Sequence, residues 1–479
     1  MHSVPANRFR RNLVAIVLSA ITVAVVATFA GFAPQASAAQ PLIGTQTHTT
    51  WGSYSDSAMR KELDLLVGSG SNLIRADMNW SSLETEGKGQ ISPWYRQKWD
   101  TLLAEAEQRG IKVIATVFGT PCWASSAPSN LKQNCAGEWW DRGVTAYPPA
   151  DNDDFGDAVA WMANRWGHRL AGMEIWNGPN LPEQRFLVAN NLPQKYTQML
   201  KAAYPRAKAA SPSLNVIGGV IEWSDVEFLE KMYQYGAKGY FDSLAVHPYN
   251  EWRHPDDLWK EEWTKFSFRR GVPAMYDVLV RNGEGHKKLW LTEYGWSTCS
   301  DGDRWCVSRS EQADFIADSL RIVRGWDFVA GATIYQLRDA GSGNCRECQF
   351  GMFERDWTPK PAWKAYKKAV AGMYPVRVKI KGARNLKVDS SGVAKGLVIV
   401  CRGQKGAKCT GSLKVRKSGK LIGKGKVNVK AGKKKQVRIR LRPAGLKAAK
   451  QSRRITGVKV VGKWRSGAPS TRSINLVAA

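Results

Sequence analysis

Eight short β-rich runs alternate with amphipathic stretches between residues 42 and 370, and this alternation constrains the fold more than any other feature of the chain. The runs are Leu42–Gln46, Asn72–Arg75, Val113–Val117, Gly172–Trp176, Asn215–Val220, Ser243–His247, Leu289–Thr292 and Ala332–Tyr335. Each but the first follows a stretch with helical apolar spacing, as with Met59, Leu63 and Leu66 within Ser57–Leu66. Later helical stretches are Trp94–Arg109, Asp154–Trp166, Pro193–Ala210, Val226–Gly236, Gly271–Asn282 and Ser310–Gly325, with Trp363–Val370 closing the set. Strands separated by helices pair in parallel through crossover connections. Eight repeats are the count of a (β/α)8 TIM barrel, an α/β fold. An open doubly wound sheet is the alternative. No GxGxxG motif follows the first strand, which argues against a dinucleotide site. No cofactor and no metal are expected.

The charge is unevenly placed. The chain holds 71 Lys+Arg against 41 Asp+Glu, which alone would suggest a nucleic-acid binder. From Val376 to Ala479 there are 30 basic residues and one acid, Asp389, so the rest is nearly neutral, with 41 basic and 40 acidic residues. Such a break marks a domain boundary, giving a barrel over 39–374 and a basic domain over 375–479. At the N-terminus, Arg8, Arg10 and Arg11 precede an apolar run from Leu13 to Ala30, and Ala36-Ser37-Ala38 offers a small-x-small cleavage pattern. A secretory signal over 1–38 is expected, with an uncleaved anchor as the alternative. The protein is therefore expected to be secreted or held at the cell envelope, as a monomer. All eight cysteines follow that segment, in four close pairs: Cys122 with Cys135, Cys299 with Cys306, Cys345 with Cys348, Cys401 with Cys409. An even number in an exported chain suggests disulfides, whose connectivity the sequence leaves open. No second CxxC or His pair accompanies Cys345-Arg-Glu-Cys348, which argues against a zinc or redox motif.

In a barrel, function gathers at the C-terminal strand ends. Those ends carry His48, then Arg75 with Asp77, then Thr120-Pro121-Cys122-Trp123. Asn177-Gly178-Pro179-Asn180 and Glu222-Trp223 follow the fourth and fifth strands. His247-Pro248-Tyr249, Glu293-Tyr294-Gly295-Trp296 and Tyr335-Gln336 complete the circuit. A lone His is more often a core residue, and each Trp has a packing role to fall back on. One polar or aromatic group on every strand is harder to assign to packing. The candidate substrate contacts are His48, Arg75, Trp123, Asn177, His247, Tyr249, Trp296 and Tyr335. Tryptophans suit sugars, because their faces stack on the apolar faces of pyranose rings; Trp80, Trp176 and Trp223 are further candidates by position.

These segments support a resemblance. Thr292-Glu293-Tyr294-Gly295-Trp296 resembles the nucleophile segment of the clan A retaining glycoside hydrolases. Glu174-Ile175-Trp176-Asn177-Gly178-Pro179-Asn180 resembles their acid/base segment, usually Trp-Asn-Glu-Pro-Asn. Leu73-Ile74-Arg75 resembles the arginine strand, Val246-His247-Pro248-Tyr249 the sixth-strand histidine segment, and Thr358-Pro359-Lys360-Pro361-Ala362-Trp363 the exit into the last helix. The resemblance spans about residues 40 to 374 and is greatest to bacterial β-xylosidase-like and cellulase-like barrels. It implies a TIM barrel acting on oligo- or polysaccharides, with Glu293 as nucleophile.

One position departs from that pattern: Gly178 stands where the clan has its acid/base Glu. Retaining hydrolysis needs two carboxyls about 5 Å apart, and a general acid contributes about 10²–10⁴-fold. Glu174 lies four residues down its strand, roughly 13 Å away at ~3.3 Å per residue. Glu222 is the best-placed substitute, followed by Glu183 and Asp225. Two readings result: an exported retaining β-glycosidase impaired at Gly178, or a barrel that binds glycan without cleaving it.

The basic domain alternates apolar and cationic residues in Val376–Lys381, Leu413–Arg416 and Val437–Arg442, with turn signals at Ser418-Gly419 and Ala431-Gly432. This predicts a small all-β, sandwich-like domain with a cationic outer face. It resembles β-sandwich modules of secreted actinobacterial proteins. An acidic cell-envelope polymer is the expected partner. Nucleic acid is not, because base stacking needs interleaved aromatics and only Trp464 is present.

Overall fold

The computed structural model describes residues 40–478 except 134, 136–142, 182–186, 259–260, 300–304, 342, 344, 373–376, 403–407 and 465–469. The segment read as a secretory signal and Glu183 lie outside the described residues. Eight strands close a parallel barrel in chain order: β1 (Leu42–Thr47), β2 (Leu73–Asn79), β3 (Lys112–Phe118), β4 (Gly172–Ile175), β5 (Val216–Glu222), β6 (Ser243–His247), β7 (Leu289–Tyr294) and β8 (Val329–Ile334). All eight expected strands form, within a few residues of their expected ends.

The barrel is lined below its mouth by Leu73, Ile114, Ile217, Val220, Ala245 and Trp290. A second, larger layer packs the outer strand faces against the helices. Strands buried on both faces explain why these runs are continuously apolar rather than alternating. The helices are α1 (Asp56–Ser69), α2 (Pro93–Gln108), α3 (Asn152–Trp166), α4 (Leu192–Ala210), α5 (Val226–Gln234), α6 (Phe268–Arg281), α7 (Arg309–Val323) and α8 (Pro361–Val370). Their starts are fixed by local chemistry. Ser55 caps α1, Ser92 with Pro93 opens α2, and Ser308 with Glu311 forms a capping box on α7. Among the described residues, no helix is long and apolar enough to cross a membrane.

Beyond the barrel lie β9 (Arg377–Val388), β10 (Val393–Arg402), β11 (Lys408–Lys417), β12 (Lys420–Lys430), β13 (Lys434–Leu441), the helix α9 (Pro443–Ser452), β14 (Arg454–Trp464) and β15 (Ser470–Ala478). The strands pair in the order β10-β13-β12-β11-β14-β15-β9, and β9 pairs back to β10, so the ladder closes on itself. Ser418-Gly419, both at positive φ, turn β11 into β12, and Ala431-Gly432 join β12 to β13. Alternate residues such as Leu413, Val415, Val427, Val429, Val437 and Ile439 fill the interior. The helix α9 left no signal in the sequence reading. The eight cysteines join as sequence neighbours, Cys122–Cys135, Cys299–Cys306, Cys345–Cys348 and Cys401–Cys409.

Candidate active site

Two β-bulges aim the two acids of the barrel mouth. Strand β5 pairs with β6 as Ile217 with Ser243, Gly218 with Leu244 and Gly219 with Ala245, then Ile221 with Val246 and Glu222 with His247. Val220 is the extra residue, at φ +51 beside Gly219 at φ +82. Simple alternation from the inward-facing Ile217 would send Glu222 outward. The bulge reverses the parity and puts Glu222 on the inner face with His247. Strand β7 repeats the device. Leu291 pairs with Ala332 but Tyr294 with Ile334, so one extra residue lies between them and Glu293 turns inward.

Glu293 is held from two sides. Its Oε2 accepts from Arg75 Nη1 at 2.9 Å and its Oε1 from the Tyr249 hydroxyl at 2.8 Å. Burial pushes its pKa up, although His247 and Arg75 pull it back. Burial also holds the Tyr249 hydroxyl well above its ordinary value, so it remains a donor. Gly295 lets the chain pass Tyr335, since a Cβ there would collide with the Tyr335 carbonyl oxygen. Arg75 is buried and spends its whole guanidinium on the site. Nε donates to Glu174 at 2.7 Å, Nη1 also to Gln46 at 2.9 Å, and Nη2 to Asn177 at 2.6 Å.

Glu222 Oε1 lies 2.6 Å from His247 Nδ1. One ligand atom from each of Glu222, His247 and Glu293 falls within 4.8 Å of the others. Burial raises Glu222 to about 8 and lowers His247 to about 4. At neutral pH the imidazole is therefore uncharged and the carboxyl keeps its proton. These three residues could offer ligands to a cation. Arg75 and Tyr249 already hydrogen-bond Glu293, however, and His247 already engages Glu222, so these groups have partners within the protein.

The Asn-Gly-Pro-Asn segment supports Glu222 from below. Asn180 Nδ2 donates to the Glu222 carbonyl at 3.1 Å, and the Glu222 N–H donates to Asn180 Oδ1 at 2.9 Å. Gly178 is buried at φ +52, and its N–H donates to the carbonyl of the bulge residue Val220 at 3.1 Å. Asp225 caps α5 through the Phe228 N–H, which makes it a structural acid. Glu174 is fully buried under Arg75 and also accepts from Thr116 at 2.6 Å.

The remaining candidates divide. His48 stands at the rim, 3.3 Å from Asp77, with its ring 4.2 Å from the Trp51 ring and tilted against it. Burial alone would lower its pKa, but the hydrogen bond and charge of Asp77 win and raise it. Tyr335 is 6.1 Å from His48 and 6.4 Å from Tyr249, ring to ring. Trp123 is half-buried, its indole N–H on the Glu84 carbonyl at 2.7 Å. Trp296 is not at the mouth: it is 2% exposed and packs on Tyr294 and Phe315 with its N–H on Arg253. Trp80 and Trp176 are likewise buried. The sequence reading missed Gln46 and Trp51, named Asn180 only as part of a strand-end segment, and weighed Glu174 only as a substitute acid. Gln46 has the parity of the inward Leu42, and Trp51, 45% exposed, lies one turn past His48.

Comparison with known proteins agrees with the barrel fold. No curated protein matches the chain in sequence. Among solved structures, the chain is similar to a family 39 glycoside hydrolase from Bacteroides cellulosilyticus WH2, with 18% identity, TM-score 0.56, and 84% of this chain and 81% of that chain covered. It is similar to a monomeric β-xylosidase from Caulobacter crescentus CB15, with 16% identity, TM-score 0.52 and coverages of 85% and 98%. It is also similar to a family 39 enzyme from Xanthomonas axonopodis pv. citri, with 13% identity, TM-score 0.52 and coverages of 84% and 94%. At these identities the likeness shows the fold. The sequence model of the cellulase family, glycosyl hydrolase family 5, matches residues 34–330, most of the chain. The protein belongs to the cellulase (glycosyl hydrolase family 5) family.

Proposed function

We propose that the barrel is a retaining glycosidase of β-linked glycans, with Glu293 as nucleophile and Glu222 as the acid/base that the fourth strand lacks. The observation that carries this reading is the separation of the two carboxyls, whose nearest oxygens lie within 4.8 Å. Retaining enzymes hold their pair about 5–5.5 Å apart, whereas inverting enzymes need about 6.5–9.5 Å to admit a water.

The chemistry follows from the two protonation states. Arg75 and Tyr249 orient the Glu293 carboxylate for attack on the anomeric carbon. Glu222, protonated because burial raises it to about 8, gives its proton to the departing glycosidic oxygen. The C–O bond to the leaving group breaks as the bond to Glu293 forms. Glu222, now a carboxylate, takes a proton from water, and that water displaces Glu293 with net retention. His247 Nδ1 fixes the Glu222 carboxyl throughout.

The test is turnover of aryl β-glycosides, with the configuration of the first product read by NMR. Retention that disappears in Glu293→Gln supports the reading. Gly178 favours a second one, a barrel that binds glycan without cleaving it, and glycan binding with no turnover on any aryl glycoside would establish that alternative. We also propose that the chain is exported, and that its basic C-terminal domain holds it to an acidic polymer of the cell envelope. The support is 30 basic residues against one acid in that segment.

A further inference from the structure

We infer that the acidic polymer is gripped at one place, a surface groove lined by Lys408, Lys430, Lys433, Lys434 and Lys435 with Asn428 and Val429. This rests on the reading that the C-terminal domain binds such a polymer, and it names where and by what chemistry. The groove is open to solvent, with a volume of about 450 Å³, and lies where β11, β12 and β13 come together. Lys408 stands directly opposite Lys430 across the β11–β12 ladder. Like charges in that position destabilise a sheet, so the pair is a standing cost in the unliganded domain that a bound anion would remove. Among the described residues, none of the five lysines makes an ion pair. The domain's one acid, Asp389, is held by the Val393 N–H, the Ser391 hydroxyl and Lys395.

The strands beside the groove are cross-linked. The Cys401–Cys409 disulfide ties the end of β10 to the start of β11, next to Lys408. The Gly432 N–H donates to the Cys401 carbonyl at 2.9 Å, and the Cys401 N–H to the Lys433 carbonyl at 3.0 Å. Neighbouring strands place charges roughly 5 Å apart, and same-face residues along a strand roughly 7 Å apart. That spacing suits a linear polymer with an anionic group on each repeat. Lysine ammonium groups are point charges that accept phosphate or carboxylate alike. The groove has no aromatic lining on which a nucleobase could stack.

The experiment measures binding of the full-length chain to immobilised polyphosphate and to polygalacturonate across a salt series, with a DNA duplex as a third arm. The variant Lys430→Gln/Lys433→Gln/Lys434→Gln/Lys435→Gln is compared with a control of equal charge change away from the groove, Lys447→Gln/Lys450→Gln/Lys459→Gln/Lys463→Gln. We expect the groove variant to lose at least tenfold in affinity and about three units of salt slope, at ~0.7–0.9 per neutralised charge. The control should change less than threefold, and the matching Lys→Arg variant should keep binding. Preference between the two polymers assigns phosphate or carboxylate as the anion. Equal losses in groove and control variants would overturn the groove while leaving polymer binding by the domain intact. No binding to either polymer would overturn both, and tighter binding to DNA than to either would overturn the polymer assignment.

Discussion

Glu222 and His247 stand in register on neighbouring strands, and their side chains meet at 2.6 Å inside the barrel mouth. The bulge at Val220 makes this possible by turning Glu222 inward. A histidine that alternation would have left beside an aliphatic residue instead holds a carboxyl within 4.8 Å of Glu293.

The first prediction concerns pH. Glu222 must be protonated to act as acid, so kcat/KM should fall as pH rises through about 8. Glu293 must be ionised to attack, so the rate should also fall as pH drops through a value above the ordinary carboxylate range, because burial raises it. The profile on an aryl glycoside with a poor leaving group should be a bell between these limits. A profile flat from pH 6 to pH 9 would contradict the assignment.

Asn180 is a positioning residue. It holds the Glu222 backbone through both its N–H and its carbonyl. Removing both bonds in Asn180→Ala should lower kcat by about 10–100-fold, since small misplacements of a catalytic group cost that much. KM should hardly move and the alkaline limb should shift. A purely structural role would leave the limb in place.

Gly178→Glu should not improve turnover. At φ +52 the backbone is left-handed, a conformation that costs a side-chain-bearing residue about 1–2 kcal/mol. A rise in activity on unactivated oligosaccharides would show that the fourth-strand position was the missing acid and that Glu222 does not act.

Arg75→Leu should destabilise the barrel by about 3–5 kcal/mol, because it strands buried carboxylates at Glu174 and Glu293. Urea unfolding of the variant measures the loss. A change under ~1 kcal/mol would mean that Glu174 and Glu293 tolerate burial without the guanidinium.

The barrel was legible in the sequence because its period is long and each repeat carries its own strand and helix signal. Most of the mouth was legible too, since Arg75 sits on β2 and Asn177, His247, Tyr249 and Glu293 all sit at or just past the C-terminal ends of strands. What stayed hidden depended on tertiary contact. The bulges at Val220 and beside Glu293 are single-residue insertions in register, visible only once β6 and β8 are paired with their neighbours. Gly218-Gly219 was a hint, as glycines inside a strand often mark a bulge. Trp296 was misplaced because a strand-end Trp can turn toward the mouth or into the packing of α7, and Phe315 settles it. Glu174 was dismissed as too deep to act as an acid. Its depth is what lets it hold Arg75.

The central claim is that Glu222 supplies the proton that Gly178 cannot. The most direct test compares wild type with Glu222→Ala on aryl β-glycosides whose leaving groups range from strongly acidic to weakly acidic phenols, with and without azide. We expect the variant to lose about 10²–10⁴-fold on the poor leaving groups and far less on the best one. Azide should restore its turnover and yield a β-glycosyl azide, since the small anion enters where the base was removed. Equal rates for wild type and Glu222→Ala across the whole series, with no azide product, would contradict the claim.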